Sequence, residues 1–170
     1  QLTVQNRGRM IRGGALAPLA IAGYSGELEV QREVAATICN LSLSPEHKVE
    51  IAHSGALEPL ILLGQSPDIE VARQACGAVA NLAENVDTHK CIADVHGGRF
   101  LIGLMKHSNT DIHREASRAI ANLLTSFGHH QEIIEDGLPG LIALGVSTDI
   151  ECQYNAALAF RKLSPNMKSH

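Results

Sequence analysis

An internal repeat with a period of 41 residues constrains the fold of this chain more than any other feature of its sequence. Asn-Leu recurs at residues 40, 81 and 122, within the similar segments Ala-Thr-Ile-Cys-Asn-Leu, Ala-Val-Ala-Asn-Leu and Ala-Ile-Ala-Asn-Leu. Further positions recur in the same phase: Met10, Ile51, Ile92 and Ile133; Leu19, Leu60, Leu101 and Ile142; and Gly14, Gly55 and Gly137, with His96 in the third copy. Several positions in phase indicate a repeat array, in which each unit packs against its neighbours.

The repeat divides the chain into about four copies, at residues 6–46, 47–87, 88–128 and 129–166. The fourth copy is predicted to be one residue shorter, and it carries Lys162 where the others have Asn. Residues 1–170 are expected to form one repeat domain, a fragment of a longer protein. Arg161 stands where earlier copies have small residues, which predicts either a C-terminal cap or a different neighbour in the full protein.

Each copy is predicted to contain a short, a middle and a long helix. In copy two the short helix covers residues 47–53 and ends at Gly55, which can adopt a left-handed turn. The middle helix covers 56–63 and has Pro59 in its first turn, where a missing N–H costs little. The long helix is predicted to end near residue 83. The residues predicted to cap the long helices are Glu27, Asp68, Asn109 and Asp149.

Two faces separate when the long helices are drawn at about 100° per residue. The apolar face is predicted to form the core: Val30, Val34, Ile38 and Leu41; Val71, Ala75, Val79 and Leu82; Ile112, Ala116, Ile120 and Leu123. The other face, here called the ladder face, carries the Asn residues and the positions four, seven and eleven before them: Asn40, Ala36, Glu33 and Glu29; Asn81, Gly77, Gln74 and Glu70; Asn122, Arg118, Glu115 and Asp111. Stacked copies would line one concave surface with their long helices.

The chain resembles the armadillo repeat family over nearly its whole length. The motifs that carry the resemblance are Gly-Ala-Leu-Glu-Pro-Leu-Ile-Leu-Leu at 55–63 and Glu-Val-Ala-Arg-Gln-Ala-Cys-Gly-Ala-Val-Ala-Asn-Leu at 70–82. The resemblance implies an all-α, right-handed α-solenoid of three-helix repeats. It also implies a non-enzymatic protein-interaction scaffold, in which the Asn ladder binds the backbone of an extended partner peptide.

The resemblance implies that Asn40, Asn81 and Asn122 bind the backbone of the partner peptide, and it does not extend this role to Lys162. Import adaptors of the family have a Trp four residues before each Asn, and this chain contains no Trp. The general pattern is closer to the catenin-like, vacuolar and plant U-box-associated members.

An Asn amide suits this role because it offers both a donor and an acceptor to a peptide backbone. Two interpretations of the ladder remain open: the Asn side chains hold a peptide, or they bond to the adjacent repeat and fix its stacking. The corresponding alternative function is a structural or oligomerising array that uses its ends or convex face.

Six acids on or beside the ladder face predict a negative surface: Glu29, Glu33, Glu70, Asp111, Glu115 and Glu151. Arg118 and Lys162 oppose them. The edge arginines Arg32, Arg73 and Arg114 each lie three residues after an acid, a spacing at which helix side chains pair. A basic extended segment and a partner of mixed charge therefore both remain open.

Composition excludes several other functions. A net charge of −4 argues against binding of nucleic acid, and no apolar run has the roughly 18–20 residues that a membrane span needs. We expect a cytoplasmic protein, with the nucleus as the alternative, and reduced, mostly buried cysteines. No Cys/His pair, catalytic triad or cofactor motif is predicted. The nine histidines show no convincing metal-ligand spacing, the nearest candidate being residues 129–132.

Overall fold

The computed structural model describes residues 2–165 and consists, over that range, of helices joined by short turns. Copy one contains α1 (Leu2–Arg12), α2 (Leu16–Ala22) and α3 (Leu28–Leu41). Copy two contains α4 (Lys48–His53), α5 (Leu57–Leu63) and α6 (Ile69–Ala83). Copy three contains α7 (His89–Asp94), α8 (Gly97–Leu104) and α9 (Thr110–Leu123). Copy four contains α10 (His130–Glu132), a π-helical segment (Ile133–Gly137), α11 (Leu138–Gly145) and α12 (Ile150–Leu163).

The prediction of an all-α fold is confirmed for the described residues. Single turns of 3₁₀ helix at Pro45–His47, Val86–Thr88 and Phe127–His129 lead into copies two, three and four. None of the helices within residues 2–165 combines the length and the apolar character that crossing a bilayer requires.

Capping side chains start three of the four long helices, as predicted. Each capping carboxylate or amide oxygen accepts a hydrogen bond from the backbone N–H three residues later: Asp68 from Val71 at 3.0 Å, Asn109 from Ile112 at 3.2 Å and Asp149 from Cys152 at 3.0 Å. Glu27 is the N-cap residue of α3, as predicted, but its side chain makes no capping bond. Glutamate is one methylene longer than the short polar residues that close this bond.

The turn between the short and middle helices is left-handed in the first three copies. Gly14 and Gly55 have φ of +90° and +88°, and His96 adopts φ of 57° in their place. Gly137 has φ of −95° and lies at the end of the π-helical segment. The turn is therefore absent from copy four, where the short and middle helices run on continuously.

Copy four is one residue shorter than the other copies, and the missing residue lies at this turn. Ile133 is still buried as Ile51 and Ile92 are, so the register is unchanged there. Leu141 then takes the buried position of Leu60 and Leu101, and Ile142, which was predicted for it, is 56% exposed. The prediction for Ile142 is wrong because the missing residue lies before it, within the π-helical segment, and not after it.

The long helices pack in chain order, α3 on α6, α6 on α9 and α9 on α12, while the middle helices cover their other side. The apolar face of the long helices is buried as predicted, with one exception. Val30, in the first turn of α3, is exposed, because no long helix precedes α3 within the described residues. The core is continuous from Ile11 to Ala159.

Candidate functional site

The ladder positions of copies two, three and four each bond to the long helix before them. The amide of Asn122 donates to the carbonyl of Ala80 at 3.1 Å, and the ammonium of Lys162 donates to the carbonyl of Ala121 at 2.7 Å. These carbonyls lie in the last turns of α6 and α9, where a helix leaves its C=O groups without intrahelical partners. Lys162 thus makes the bond that Asn makes elsewhere, which the residue type alone did not indicate.

Asn81 is the most enclosed of the three Asn residues. Its side chain is buried, the whole residue being 5% exposed, and its amide nitrogen donates to Ser42 Oγ at 3.0 Å and to the Cys39 carbonyl at 3.5 Å. Its amide oxygen accepts from Arg118 Nη2 at 2.9 Å. Both sides of the Asn81 amide are therefore engaged by the chain itself.

Asn40 and Asn122 differ from Asn81 in having unused hydrogen-bonding capacity. Asn40 is exposed at the end of α3, and within residues 2–165 its side chain makes no hydrogen bond to protein. Asn122 is half-buried and uses its nitrogen on Ala80, while its oxygen accepts nothing from the described part of the chain. Stacking thus accounts for the amide donors of Asn81 and Asn122, whereas the Asn122 oxygen and both groups of Asn40 have no partner within residues 2–165.

Arg118 is surrounded by hydrogen-bond acceptors. Its Nη1 donates to Glu84 Oε1 at 3.1 Å, and its Nη2 reaches Glu115 Oε2 at 2.7 Å, Asn81 Oδ1 at 2.9 Å and the Gly77 carbonyl at 3.4 Å. Two carboxylates, one amide oxygen and one backbone carbonyl, all from α6, its C-cap or α9, thus converge on one guanidinium.

Lys48 extends this network into copy one. Its buried ammonium donates to the Ser42 carbonyl at 2.6 Å and lies 3.4 Å from Glu84 Oε2. Glu84 therefore bridges Lys48 and Arg118. The sequence reasoning missed both Lys48 and Glu84.

A periodic signal for Lys48 was present in the sequence. Lys48, His89 and His130 recur at the 41-residue period, and each side chain bonds to the carbonyl six residues earlier, at 2.6, 2.8 and 2.8 Å. Glu84 has no such signal, since Leu43 and Thr125 occupy its position in the neighbouring copies.

The edge arginines pair within their helices, as predicted. The three pairs are Arg32 with Glu29 at 3.2 Å, Arg73 with Glu70 at 2.6 Å and Arg114 with Asp111 at 2.9 Å. Arg32 and Arg114 also reach the N-cap of the next long helix, at 2.8 Å to Asp68 and 2.7 Å to Asp149.

These bonds to the arginines shift the titration of the capping carboxylates. The Arg114 guanidinium holds the pKa of Asp149 at about 2, and Arg32 lowers the pKa of Asp68 in the same way. Copy three has the neutral Asn109 as its cap, and Arg73 instead makes two bonds to Glu70, which lower the pKa of that carboxyl together with a bond from Gln74.

The charge of the ladder face is therefore largely balanced within the chain. Glu33 and Glu151 are the predicted acids that form no ion pair within residues 2–165. They lie towards opposite ends of the face, on α3 and α12. The middle of the face, between α6 and α9, holds matched acids and bases.

Away from the ladder face, the structure brings together one pair that the sequence did not predict. Cys91 Sγ lies 3.6 Å from His53 Nε2, because the short helices α4 and α7 pack against each other. The sequence alone gave no basis for proposing this Cys/His contact. Within residues 2–165, no three His, Cys, Asp or Glu side chains form a cluster that could hold a metal; His170 lies outside that range.

Comparison with known proteins gives the same architecture. A sequence model of the Armadillo/beta-catenin-like repeat matches residues 44–84. The crystal structure of an engineered protein superposes with a TM-score of 0.89 at 29% identity, covering 94% of this chain and 66% of that one. A designed armadillo repeat protein superposes with a TM-score of 0.87 at 28% identity, covering 94% and 68%. Another, solved in complex with the peptide (KR)4, has a TM-score of 0.86 at 26% identity, covering 93% and 68%.

This chain spans about two thirds of the length of those engineered proteins. A search of curated proteins finds no match. The consecutive stacking of three-helix units defines an α-solenoid repeat protein. Residues 44–84 match the armadillo repeat model, and residues 2–165 have the fold of the designed armadillo repeat proteins, as the repeated motifs predicted.

Proposed function

We propose that this chain is a non-enzymatic interaction scaffold that binds an extended segment of a partner protein along its concave ladder face. The observation that carries the proposal is the repetition of amide and carboxylate groups on one face of successive long helices, Glu70 and Gln74 on α6 and Asp111 and Glu115 on α9. Packed helices lie about 8–10 Å apart. An extended chain advances about 3.3 Å per residue, so each copy meets two or three peptide residues.

The amide ladder acts unequally in this proposal. Asn122 offers a free oxygen to a peptide N–H, and exposed Asn40 offers both of its groups. Burying a peptide N–H or C=O without a partner costs about 1–3 kcal/mol, so these contacts favour an extended backbone whatever its side chains are. Asn81 contributes chiefly to stacking, because its amide is already engaged on both sides.

A basic segment is the partner chemistry that we propose. Glu33 and Glu151 carry carboxylates without ion-pair partners in the described chain, and the net charge is −4. A similar designed armadillo protein was solved with (KR)4, a strictly basic peptide. Exposed carboxylates attract such a ligand over a distance of about 8–10 Å at moderate salt.

Fluorescence anisotropy with labelled (KR)4 and (ED)4 peptides tests the proposal at about 50 and 200 mM NaCl. The wild-type chain is expected to bind (KR)4, more weakly at the higher salt, and to bind (ED)4 far less. Glu33→Gln and Asn122→Ala are expected to weaken binding of (KR)4 several-fold. The matched control is Glu58→Gln, a surface acid on the middle helix α5.

Three results would contradict the proposal. Equal, salt-insensitive binding of both peptides would exclude a basic ligand, and loss of binding by Glu58→Gln would show that another face is used. If neither the wild-type chain nor its variants bind either peptide, with helicity and melting unchanged, the alternative function is favoured: a structural or oligomerising array that associates through its ends or convex face.

A further inference from the structure

We propose that Arg118 is a resident occupant of a cation site on the ladder face, and that a basic side chain of the partner displaces it when the partner binds. The inference rests on the proposed function and adds to it the position at which the partner is read. The site consists of Glu84, Glu115, the Asn81 oxygen and the Gly77 carbonyl.

The composition of the site is that of a guanidinium receptor. The four groups are acceptors, they lie 2.7–3.4 Å from two terminal nitrogens of Arg118, and they include two carboxylates. A planar guanidinium presents several N–H donors in a fixed plane, which suits a set of acceptors placed around it. The side chain of Arg118 is 32% exposed, so the site opens to the surface where a ligand would lie.

The chain supplies a cation to this position in one copy alone. Ala36, Gly77 and Leu158 occupy the equivalent positions of copies one, two and four. Gly77 is the small residue at the equivalent position of copy two, and a Cβ added there would be in van der Waals contact with Glu115 Oε2 and Cys39 Sγ, each at 3.5 Å.

Charge explains why an external cation can take the place of Arg118. Without Arg118, Glu115 has no other ion-pair partner within residues 2–165, and Glu84 keeps Lys48 alone, at 3.4 Å. The vacant site would then hold two carboxylates and one ammonium, together with the freed Asn81 oxygen. A peptide Arg or Lys restores the balance, so Arg118 competes with the ligand and lowers its apparent affinity.

The first experiment measures binding of labelled (KR)4 by anisotropy at about 50 and 200 mM NaCl. Arg118→Ala is expected to bind about five- to tenfold more tightly than the wild-type chain, because Arg118 no longer competes for the site. A tenfold change corresponds to about 1.4 kcal/mol of binding free energy. Arg73→Ala is the matched control: it removes the same charge from the neighbouring helix, where Arg73 pairs with Glu70 alone. A gain no larger than that of Arg73→Ala would overturn the proposal.

Two further variants separate occupancy from folding. Arg118→Gln keeps an amide donor for Asn81 and removes the charge, so it is expected to fold and to bind (KR)4 as tightly as Arg118→Ala. Glu115→Gln added to Arg118→Ala is expected to cancel most of the gain. Retention of the full gain in the double variant would contradict the assigned acceptor set.

The second experiment examines the site without any peptide. Methylguanidinium, at low millimolar concentration, is expected to raise the melting temperature of Arg118→Ala and Arg118→Gln, and to leave the wild-type chain and Arg73→Ala unchanged. No difference between Arg118→Ala and Arg73→Ala would overturn the cation site. Stabilisation by methylguanidinium together with no binding of (KR)4 by any variant would overturn the proposed function and leave the cation site intact.

Discussion

Asn40 and Asn81 occupy the same position of two successive repeats, yet only Asn81 is enclosed by other parts of the chain. Asn81 bonds to Ser42, Cys39 and Arg118, whereas Asn40 is exposed at the end of α3. The amide therefore joins three copies at one ladder position and points to solvent at the other. A residue's position in the repeat predicts where it lies, and its neighbours determine what it contributes.

Replacement of these two residues separates stacking from binding. Asn81→Ala is expected to lower the free energy of unfolding by about 1–3 kcal/mol, because the bonds of this buried amide to Ser42 on one side and Arg118 on the other are lost. Asn40→Ala is expected to change it by less than about 0.5 kcal/mol, as is usual for an exposed position. Urea unfolding followed by circular dichroism measures both. Equal effects of the two substitutions would contradict the assignment of Asn81 to the repeat interface.

The polar stripe of the ladder face was predictable because it depends only on helical periodicity within one long helix. The acceptor set around Arg118 was not, because Glu84 follows the end of α6 and reaches Arg118 across a repeat boundary. Its equivalents, Leu43 and Thr125, give no periodic clue. Contacts between copies depend on how far neighbouring helices are offset, and one sequence does not specify that offset.

The contact between the middle helices α5 and α8 depends on a glycine. Gly64, at the end of α5, faces Phe100 of α8, and a Cβ added to Gly64 would contact Phe100 Cζ and lie 2.8 Å from its Cε1. Gly103, also on α8, has nothing within 4 Å of the same added atom. One glycine is therefore required by the neighbouring helix, and the other lies in open space.

Alanine at these two positions is expected to have opposite effects. Gly64→Ala overpacks the α5–α8 contact and should lower the free energy of unfolding by about 1–3 kcal/mol. Gly103→Ala should leave it unchanged or raise it by about 0.5–1 kcal/mol, because Ala favours the helix. Thermal and urea unfolding of both variants measure the effects. Destabilisation by Gly103→Ala, or none by Gly64→Ala, would show that α5 and α8 pack differently.

Two buried histidines join copy three to copy four. The rings of His89 and His129 lie 6.2 Å apart and edge to face. His89 bonds to Ser126 and to the Ala83 carbonyl, while neither ring nitrogen of His129 has a hydrogen-bond partner in the described chain. Burial lowers the pKa of both residues: at His89 it exceeds the opposing effect of the bond to the Ala83 carbonyl, and at His129 the neighbouring His89 lowers the pKa further.

These pKa shifts predict the direction in which stability changes with pH. Unfolded histidine titrates near about pH 6.5. Below that pH the unfolded chain binds protons that the folded chain excludes, so the free energy of unfolding should fall as the pH falls from about 7.5 to 5.5. Carboxylates of the unfolded chain titrate near about pH 4, below this range.

Urea unfolding across that pH range measures the effect of the histidines. His129→Leu is expected to reduce the pH dependence, because it removes one of the two titrating groups from the interface. His53→Gln, at an exposed histidine of α4, is the matched control and should leave the dependence as it is. A dependence that His129→Leu leaves intact would place its origin outside the contact between copies three and four.

The elements show where sequence reasoning succeeded and where it stopped. The cap residues Asp68 and Asn109 and the breaker Gly55 gave the helix boundaries of the regular copies, since short polar caps and a left-handed glycine act locally. In copy four a residue is missing from the turn, and the π-helical segment absorbs the change. The predicted register after Ile133 is therefore wrong by one residue: it placed Ile142 at the buried position that Leu141 occupies.

At the scale of the whole molecule, the four copies form a one-dimensional stack held by contacts between neighbours. The period was sufficient to predict this architecture, because a copy of about 40 residues cannot bury its apolar faces alone. Arg118 of copy three pairs with Glu84 of copy two, and Lys48, which also pairs with Glu84, donates to the Ser42 carbonyl of copy one. Stability should therefore vary along the array, with the copies that have two neighbours opening least.

Three of the four cysteines provide probes of that variation. Cys76 lies on α6, between α3 and α9, and Cys152 lies on α12, whose only long-helix neighbour in the described chain is α9. Both thiols are buried, and burial raises the pKa of Cys76 and raises that of Cys152 to about 11. Since the thiolate is the nucleophile, neither reacts until its copy opens. Cys91 is half-buried, and it serves as an internal reference.

Pulsed alkylation with iodoacetamide, followed by mass spectrometry of the peptides, measures how often each copy opens. For each thiol, the rate in the native chain divided by its rate in urea corrects for intrinsic reactivity. Cys152 is expected to have the larger ratio, because a copy with one neighbour opens more often than a copy with two. Asn81→Ala should raise the ratio for Cys76 and leave that for Cys152 nearly unchanged, since Asn81 joins α6 to α3. Equal ratios for Cys76 and Cys152 would mean instead that the array opens as a single cooperative unit.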